Sequence, residues 1–177
     1  MATLTMHIPD STARLRFRRF TEDDFPIVHA LHSDPAVMHH IKPVETEAES
    51  RQKLAEIIQV YSAQPGQGYF AAEFIPTGEF VGWFMIRQTE QDPEVEVGYR
   101  LCEAFWGKGL ATEGTLSLLQ HGFMALGQEQ LMAIVRPEHG ASRRVLEKVG
   151  FTLIGHISAY GIDNLCRYVL PRAEWQP

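Results

Sequence analysis

The chain has 177 residues, 45% of them hydrophobic, a size and composition that suit one globular domain with a substantial core. No apolar run approaches the roughly 20 residues that span a bilayer, and Met1–Thr12 lacks the basic start and long apolar core of a signal peptide. A net charge of −6 argues against a nucleic-acid partner and suits a cationic one, while Cys102 and Cys166 show no metal-ligand spacing, so a reduced, cytoplasmic protein is expected.

The first expected element is a strand, because Leu15 and Phe17 alternate with Arg14, Arg16 and Arg18 and leave one face wet. Thr21, followed by Glu22, Asp23 and Asp24, reads as a helix N-cap with an acidic first turn. Phe25, Val28 and Leu31 give that helix an apolar stripe, and Asp34-Pro35 interrupts it. A second helix is expected from about Thr46 to Ser62, with Leu54, Ile57, Ile58 and Tyr61 on one face. After a loop at Gln64–Gly68 come strands near Tyr69–Phe74 and Glu79–Arg87, with Pro76-Thr77-Gly78 as their hairpin turn. A polar connection, Gln88–Pro93, leads to a strand at Glu94–Leu101, where Glu94 and Glu96 share one face and Val95, Val97, Tyr99 and Leu101 take the other. Gly98 is a candidate bulge.

The most informative stretch follows. Phe105-Trp106-Gly107-Lys108-Gly109-Leu110-Ala111-Thr112-Glu113 leads from that strand into a helix in which Leu116, Leu119, Phe123 and Leu126 recur at near-helical spacing. A glycine-bearing turn at a helix N-terminus presents several N–H groups, and glycine lets an anion approach the backbone closely. A phosphate-bearing small molecule is the ligand this favours. The turn lacks the G-x-x-x-x-G-K-[ST] spacing of a nucleoside-triphosphate loop and the third glycine of a dinucleotide fingerprint. A buried strand at Leu131–Val135, a short helix from about Ala141 to Val149 capped by Gly150, and strands near Phe151–Tyr160 and Leu165–Leu170 joined by Gly161-Ile162-Asp163-Asn164 complete the chain. The order β-α-α-β-β-β-α-β-α-β-β predicts a single α/β domain over residues 1–177, with a mixed sheet of about seven strands and about four flanking helices.

Two segments carry a family resemblance. Trp106–Ala111 matches a Q/R-x-x-G-x-G/A pattern with Trp106 in the Q/R place, and His139–Ser142 with Glu147–Phe151 matches N-x-x-S before a helix ending E-K-x-G-F. Together with the opening Thr12–Arg18 they resemble the GNAT superfamily of acetyl-CoA-dependent N-acetyltransferases, most closely its RimJ/RimL branch, from about Ala13 to about Leu170. The resemblance implies a sheet splayed in the middle, and acetyl-CoA as cosubstrate. Backbone groups of Trp106, Gly107, Lys108, Gly109, Leu110, Ala111 and Thr112 would hold the pyrophosphate. The pantetheine arm would lie beside Leu101 and Glu103, with further contacts from His139, in the usual asparagine place, and from Ser142. Glu96 is the favoured general base, with Glu94 as the other acid on its face. Ser142 is the candidate helper of the departing thiolate, because Leu146 stands where many members have a tyrosine.

The acceptor implied is a primary amine, a peptide N-terminus or a small molecule, with Glu94, His32, His39 and Tyr160 as candidate pocket residues. His29, His32, His39 and His40 lack a metal-binding spacing, so no metal is expected. A monomer or homodimer with neither nucleic-acid nor membrane partner fits this reading. A non-catalytic acyl-CoA-binding regulatory module remains the alternative.

Overall fold

The computed structural model describes residues 7–89 and 92–177. Of Met1–Thr12, the first six residues lie outside that description, as do residues 90 and 91 of the expected Gln88–Pro93 connection. The strands are β1 (Leu15–Arg19), β2 (Gly68–Phe74), β3 (Phe80–Thr89), β4 (Asp92–Leu101), β5 (Gln130–Val135), β6 (Thr152–Ala159) and β7 (Ile162–Pro171). They form one sheet in the order β1-β2-β3-β4-β5-β7-β6. The helices are α1 (Phe25–His32), α2 (Pro35–Met38), α3 (Glu47–Ala63), α4 (Leu110–Gln120) and α5 (Gly140–Lys148). The expected α/β architecture is therefore present, with a short extra helix, α2, that Asp34 caps by accepting from the Ala36 and Val37 N–H groups.

One junction positions everything that follows. β4 and β5 are the sheet's single parallel pair, and their ladder holds only Val95 against Leu131 and Glu96 against Met132. β4 runs on to Leu101 bonded to β3 alone, so its other edge beyond Glu96 has backbone groups not spent on the sheet. The two faces are covered differently. Phe84 meets α4, where a Cβ on Gly114 would stand 2.2 Å from the phenyl ring, while the neighbouring Trp83 bonds His32 of α1 on the other side. Phe17, Phe70, Phe84, Ile86, Leu118 and Phe123 are among the fully or nearly fully buried side chains. Each such side chain is worth about 1.5–3 kcal/mol on burial.

Three local expectations are corrected. Leu116 is 46% exposed, and the buried face of α4 is Leu110, Gly114, Thr115, Leu118 and Leu119. Close contact with Phe84 demands a residue without a side chain at 114, so counting apolar residues misplaced Leu116, while Leu119 and Phe123 are buried as expected. The β6–β7 turn is Tyr160-Gly161, both at positive φ, rather than Gly161–Asn164. Gly98 makes no bulge: Met85 faces Gly98 and Phe84 faces Tyr99 in unbroken register, and the shift on this pair falls at Gln88/Thr89. Gly150 does end α5, at φ +102, with the Phe151 N–H returning to the Leu146 carbonyl at 3.0 Å.

Candidate active site

The glycine turn lies at the open end of β4. Gly107 and Gly109 have φ of +70 and +77, and Gly109 is the N-cap of α4. The first N–H groups of α4 have no partners within the helix and carry the positive end of its dipole. The turn is braced from a distant part of the chain. Arg14 Nη1 donates to the Lys108 carbonyl at 2.9 Å, and its Nε donates to Glu113 at 2.7 Å. Glu113 also accepts from the Arg14 N–H and the Thr12 hydroxyl. These bonds, with the Arg14 charge, hold the Glu113 carboxyl below its usual range against the opposing pull of burial. On the strand side, the Trp106 indole N–H caps the Leu101 carbonyl at 2.8 Å.

A cleft of about 980 Å³ runs from this turn to the start of α5. Leu101, Trp106, Gly107, Gly109, Leu110, Ala111 and Thr112 line one side and His139, Gly140 and Ala141 the other. Its size, apolar walls and row of helix-terminal N–H groups fit a long ligand with a pyrophosphate part-way along it, as coenzyme A has. Glu103 and Lys108, expected among its contacts, stand outside this wall; both are exposed, and Lys108 Nζ lies 5.2 Å over the Phe105 ring. His139 stacks on His40 with centroids 4.6 Å apart, and His40 meets His39 edge-on at the same separation. Burial and the neighbouring imidazoles lower the pKa of His139, which favours its neutral form. Arg136 bonds the Ile41 carbonyl at 3.1 Å and ties this roof to the corner after β5.

A smaller cavity, about 190 Å³, continues past Tyr99, Ser142 and Tyr160 beside Gly98. Ser142 and Tyr99 share this cavity's wall, and burial raises the Tyr99 pKa with Ser142 opposing, a proximity that no local sequence signal announced, because the two residues lie on different elements. Glu96 is 7% exposed, and the Tyr160 hydroxyl donates to its carboxylate. Burial pushes the Glu96 carboxyl up, with the Tyr160 bond and the Arg87 charge opposing. Tyr160 is held well above its usual range by burial and by Glu96, so it remains a proton donor. Glu96 therefore stands one hydrogen bond behind a tyrosine that lines the cavity.

The other candidates are placed differently. Glu94 accepts from Arg167 at 2.9 Å and from Gln130 at 2.7 Å, in the closed part of the β4–β5 junction. His32 is fully buried and does not line either cavity. Its Nδ1 meets Glu45 at 2.8 Å, its Nε2 accepts from Trp83 at 3.1 Å, and burial brings its pKa down to about 4. His39 is exposed at the cleft mouth. Among the described residues no cluster of His, Cys, Asp and Glu could hold a metal ion. Both cysteines are free, and among the described residues no helix is long and apolar enough to cross a membrane.

Comparison with known proteins agrees with this geometry. Residues 14–152 match the model of the acetyltransferase (GNAT) domain. The FsC-acetyl coenzyme A-N(2)-transacetylase of Aspergillus fumigatus is 28% identical over 93% of this chain and 76% of its own length. An acetyltransferase of Agrobacterium tumefaciens superposes with a TM-score of 0.81 at 24% identity, covering 92% of this chain and 94% of the other. RimL, a ribosomal L7/L12 alpha-N-protein acetyltransferase solved in complex with coenzyme A, gives 0.77 at 21% identity over 93% and 98% of the two chains. With the family pattern spanning most of the sequence and the splayed sheet and glycine turn in place, the chain belongs to the GNAT family of acetyltransferases.

Proposed function

We propose that the protein transfers an acetyl group from acetyl-CoA to a primary amine, a peptide N-terminus or a small molecule, by direct attack with a general base. The observation that carries this reading is the closeness of the parts: the cleft at the glycine turn and the smaller cavity share His40, Ile41, Tyr99 and His139 in their walls, and Tyr160, which lines the second, bonds the buried Glu96. Leu101, Trp106–Thr112 and His139 would hold acetyl-CoA, which supplies an activated thioester. An amine is protonated at neutral pH and must lose a proton to attack. Glu96 accepts that proton, either directly or as the Tyr160 hydroxyl passes its own proton to Glu96 and takes one from the amine. The raised Glu96 pKa brings the acid closer to the working range of a base. Unspent backbone N–H groups at Tyr99–Leu101 are the candidate oxyanion donors. Ser142, beside Tyr99 in the wall of the smaller cavity, would assist the thiolate as it leaves.

The RimL structures share the fold at TM-scores of 0.77 and 0.78 but only 21% and 18% identity, which supports the RimJ/RimL branch as a direction to test. The experiment is a turnover screen of acetyl-CoA with Ala- and Ser-starting peptides, polyamines, aminoglycosides and free amino acids, with mass spectrometry of the products. Acetylation of an amine is the expected result. Tight binding of acetyl-CoA with no turnover on any amine would favour the regulatory-module reading instead.

A further inference from the structure

We propose that the acceptor carries an acidic group, a carboxylate or phosphate, in addition to its amine, and that Lys53, Arg87 and Arg100 bind that group. This deepens the amine-acetyltransferase reading and rests on it. On the sheet face that carries Glu96, the register sets Arg87 opposite Glu96, Met85 opposite Gly98 and Trp83 opposite Arg100, with Tyr69 beside Met85. Two guanidinium groups thus flank a floor of Trp83, Met85 and Gly98. The Tyr69 and Trp83 rings meet edge to face with centroids 5.0 Å apart. Arg100 lies 5.0 Å over Trp83, while Arg87 and Lys53 lie 5.4 and 5.1 Å over Tyr69. Three cations from α3, β3 and β4 therefore gather around one aromatic pair.

Their charges are balanced only through space, Arg87 by Glu96 and Arg100 by Glu45, and not by direct pairing. The Nε atoms of Arg87 and Arg100 are buried and without a hydrogen-bond partner. Among the described residues neither arginine has an ion pair, and Lys53 has only Glu56, at 3.7 Å. The nearby carboxylates are committed elsewhere: Glu45 to Lys42, His32 and Ser50, Glu73 to Arg16 and Arg18, and Glu96 to Tyr160. His32, brought down by burial to a pKa of about 4, is neutral and adds no further positive charge.

Half-burying cations without a directly paired counter-ion is unfavourable, and a bound anion offsets that cost. A guanidinium fork suits carboxylate and phosphate alike. Arg100 borders the larger cleft and Gly98 the smaller cavity, so an acceptor whose amine reaches Glu96 and Tyr160 would bring an acidic group towards this floor. The net charge of −6, which suits a cationic acceptor, is opposed by the local field here.

The test compares acceptors in pairs that differ in the acid alone: alanine with alaninamide, Ser-Asp-Ala amide with Ser-Asn-Ala amide, and phosphoethanolamine with ethanolamine. In at least one pair the acidic member should show a kcat/KM at least tenfold higher, and the pair that does so identifies the group as carboxylate or phosphate. Arg100→Met and Arg87→Met should reduce that preference to within threefold, with the KM for acetyl-CoA in Arg87→Met within twofold of wild type; Arg100→Lys should be intermediate. Equal rates within every pair, or variants that slow both members alike, would overturn the proposal while leaving the acetyltransferase reading intact. If no amine is turned over, titration calorimetry of the same compounds into the coenzyme A-loaded protein decides. Binding of an acidic member that Arg100→Met abolishes upholds the anion site although the catalytic reading has failed, and no binding of any acidic member sinks it.

Discussion

The two ends of the cleft are built in opposite ways. At the glycine turn recognition falls to backbone: N–H groups at the start of α4, two glycines at positive φ, and side chains such as Arg14 and Glu113 that brace the turn from behind. At the other end the proposed chemistry falls to side chains, Glu96 under Tyr160 and Ser142 beside Tyr99, drawn from β4, α5 and the β6–β7 turn. A phosphate can be held by a local loop because its donors are consecutive in sequence. A proton acceptor needs burial to raise its pKa, and burial is supplied by distant parts of the chain. The first end should therefore govern affinity and the second the chemical step.

The largest effect expected from this division is at Glu96. Glu96→Gln should lower kcat by about 10- to 1000-fold, within or slightly below the usual range for a positioned acid or base, with the KM for acetyl-CoA little changed. Full activity in that variant with an unaltered pH profile, alongside a defect in Glu94→Gln, would move the base to Glu94. Next comes Gly109→Val, which should weaken acetyl-CoA binding more than tenfold by calorimetry, about 1.4 kcal/mol or more, while kcat at saturation is largely retained. Valine is also strained at φ +77, so Glu113→Gln is the companion: it leaves the turn sequence intact, loosens Arg14, and should give a smaller loss of affinity in the same direction. A loss confined to kcat in both variants would erase the distinction between the two ends.

Tyr160→Phe sharpens the comparison through pH. The Tyr160 bond favours the ionised form of Glu96, so its removal should raise the Glu96 pKa further and move the acid limb of kcat/KM to higher pH. An unmoved limb would place the titrating group elsewhere. Ser142→Ala should have the smallest effect, a modest fall in kcat, since thiolates leave readily; an unchanged kcat with chemistry shown to be rate-limiting would leave Ser142 a structural hydroxyl beside Tyr99.

Much of the fold was legible because its signals are local. Thr46 caps α3 by accepting from the Glu49 N–H, with Glu49 returning the bond, and Gly109 ends a turn at a helix start. Alternation gave β1 and the two faces of β4. Leu116 was misread because glycine and threonine, not leucine, occupy two positions on the core side of α4. His32 looked like a pocket residue, yet Glu45 and Trp83 saturate both of its nitrogens; nothing near position 32 in sequence announces a partner 51 residues away. The same holds for Arg14 with Glu113 and for Tyr160 with Glu96. Periodicity reports which face a residue takes, not which side chain waits there.

The Arg14 brace has a mechanical consequence. β1 is an edge strand bonded only to β2, the kind of element that frays first. Arg14, just before it, is fastened to the turn through Lys108 and Glu113. A ligand that orders the turn therefore also tightens the chain's first strand, about a hundred residues earlier in sequence. Amide hydrogen exchange around Leu15–Arg19 should slow when coenzyme A is added, although no atom of that strand need touch it, and the edge of the sheet becomes a reporter of occupancy at its centre.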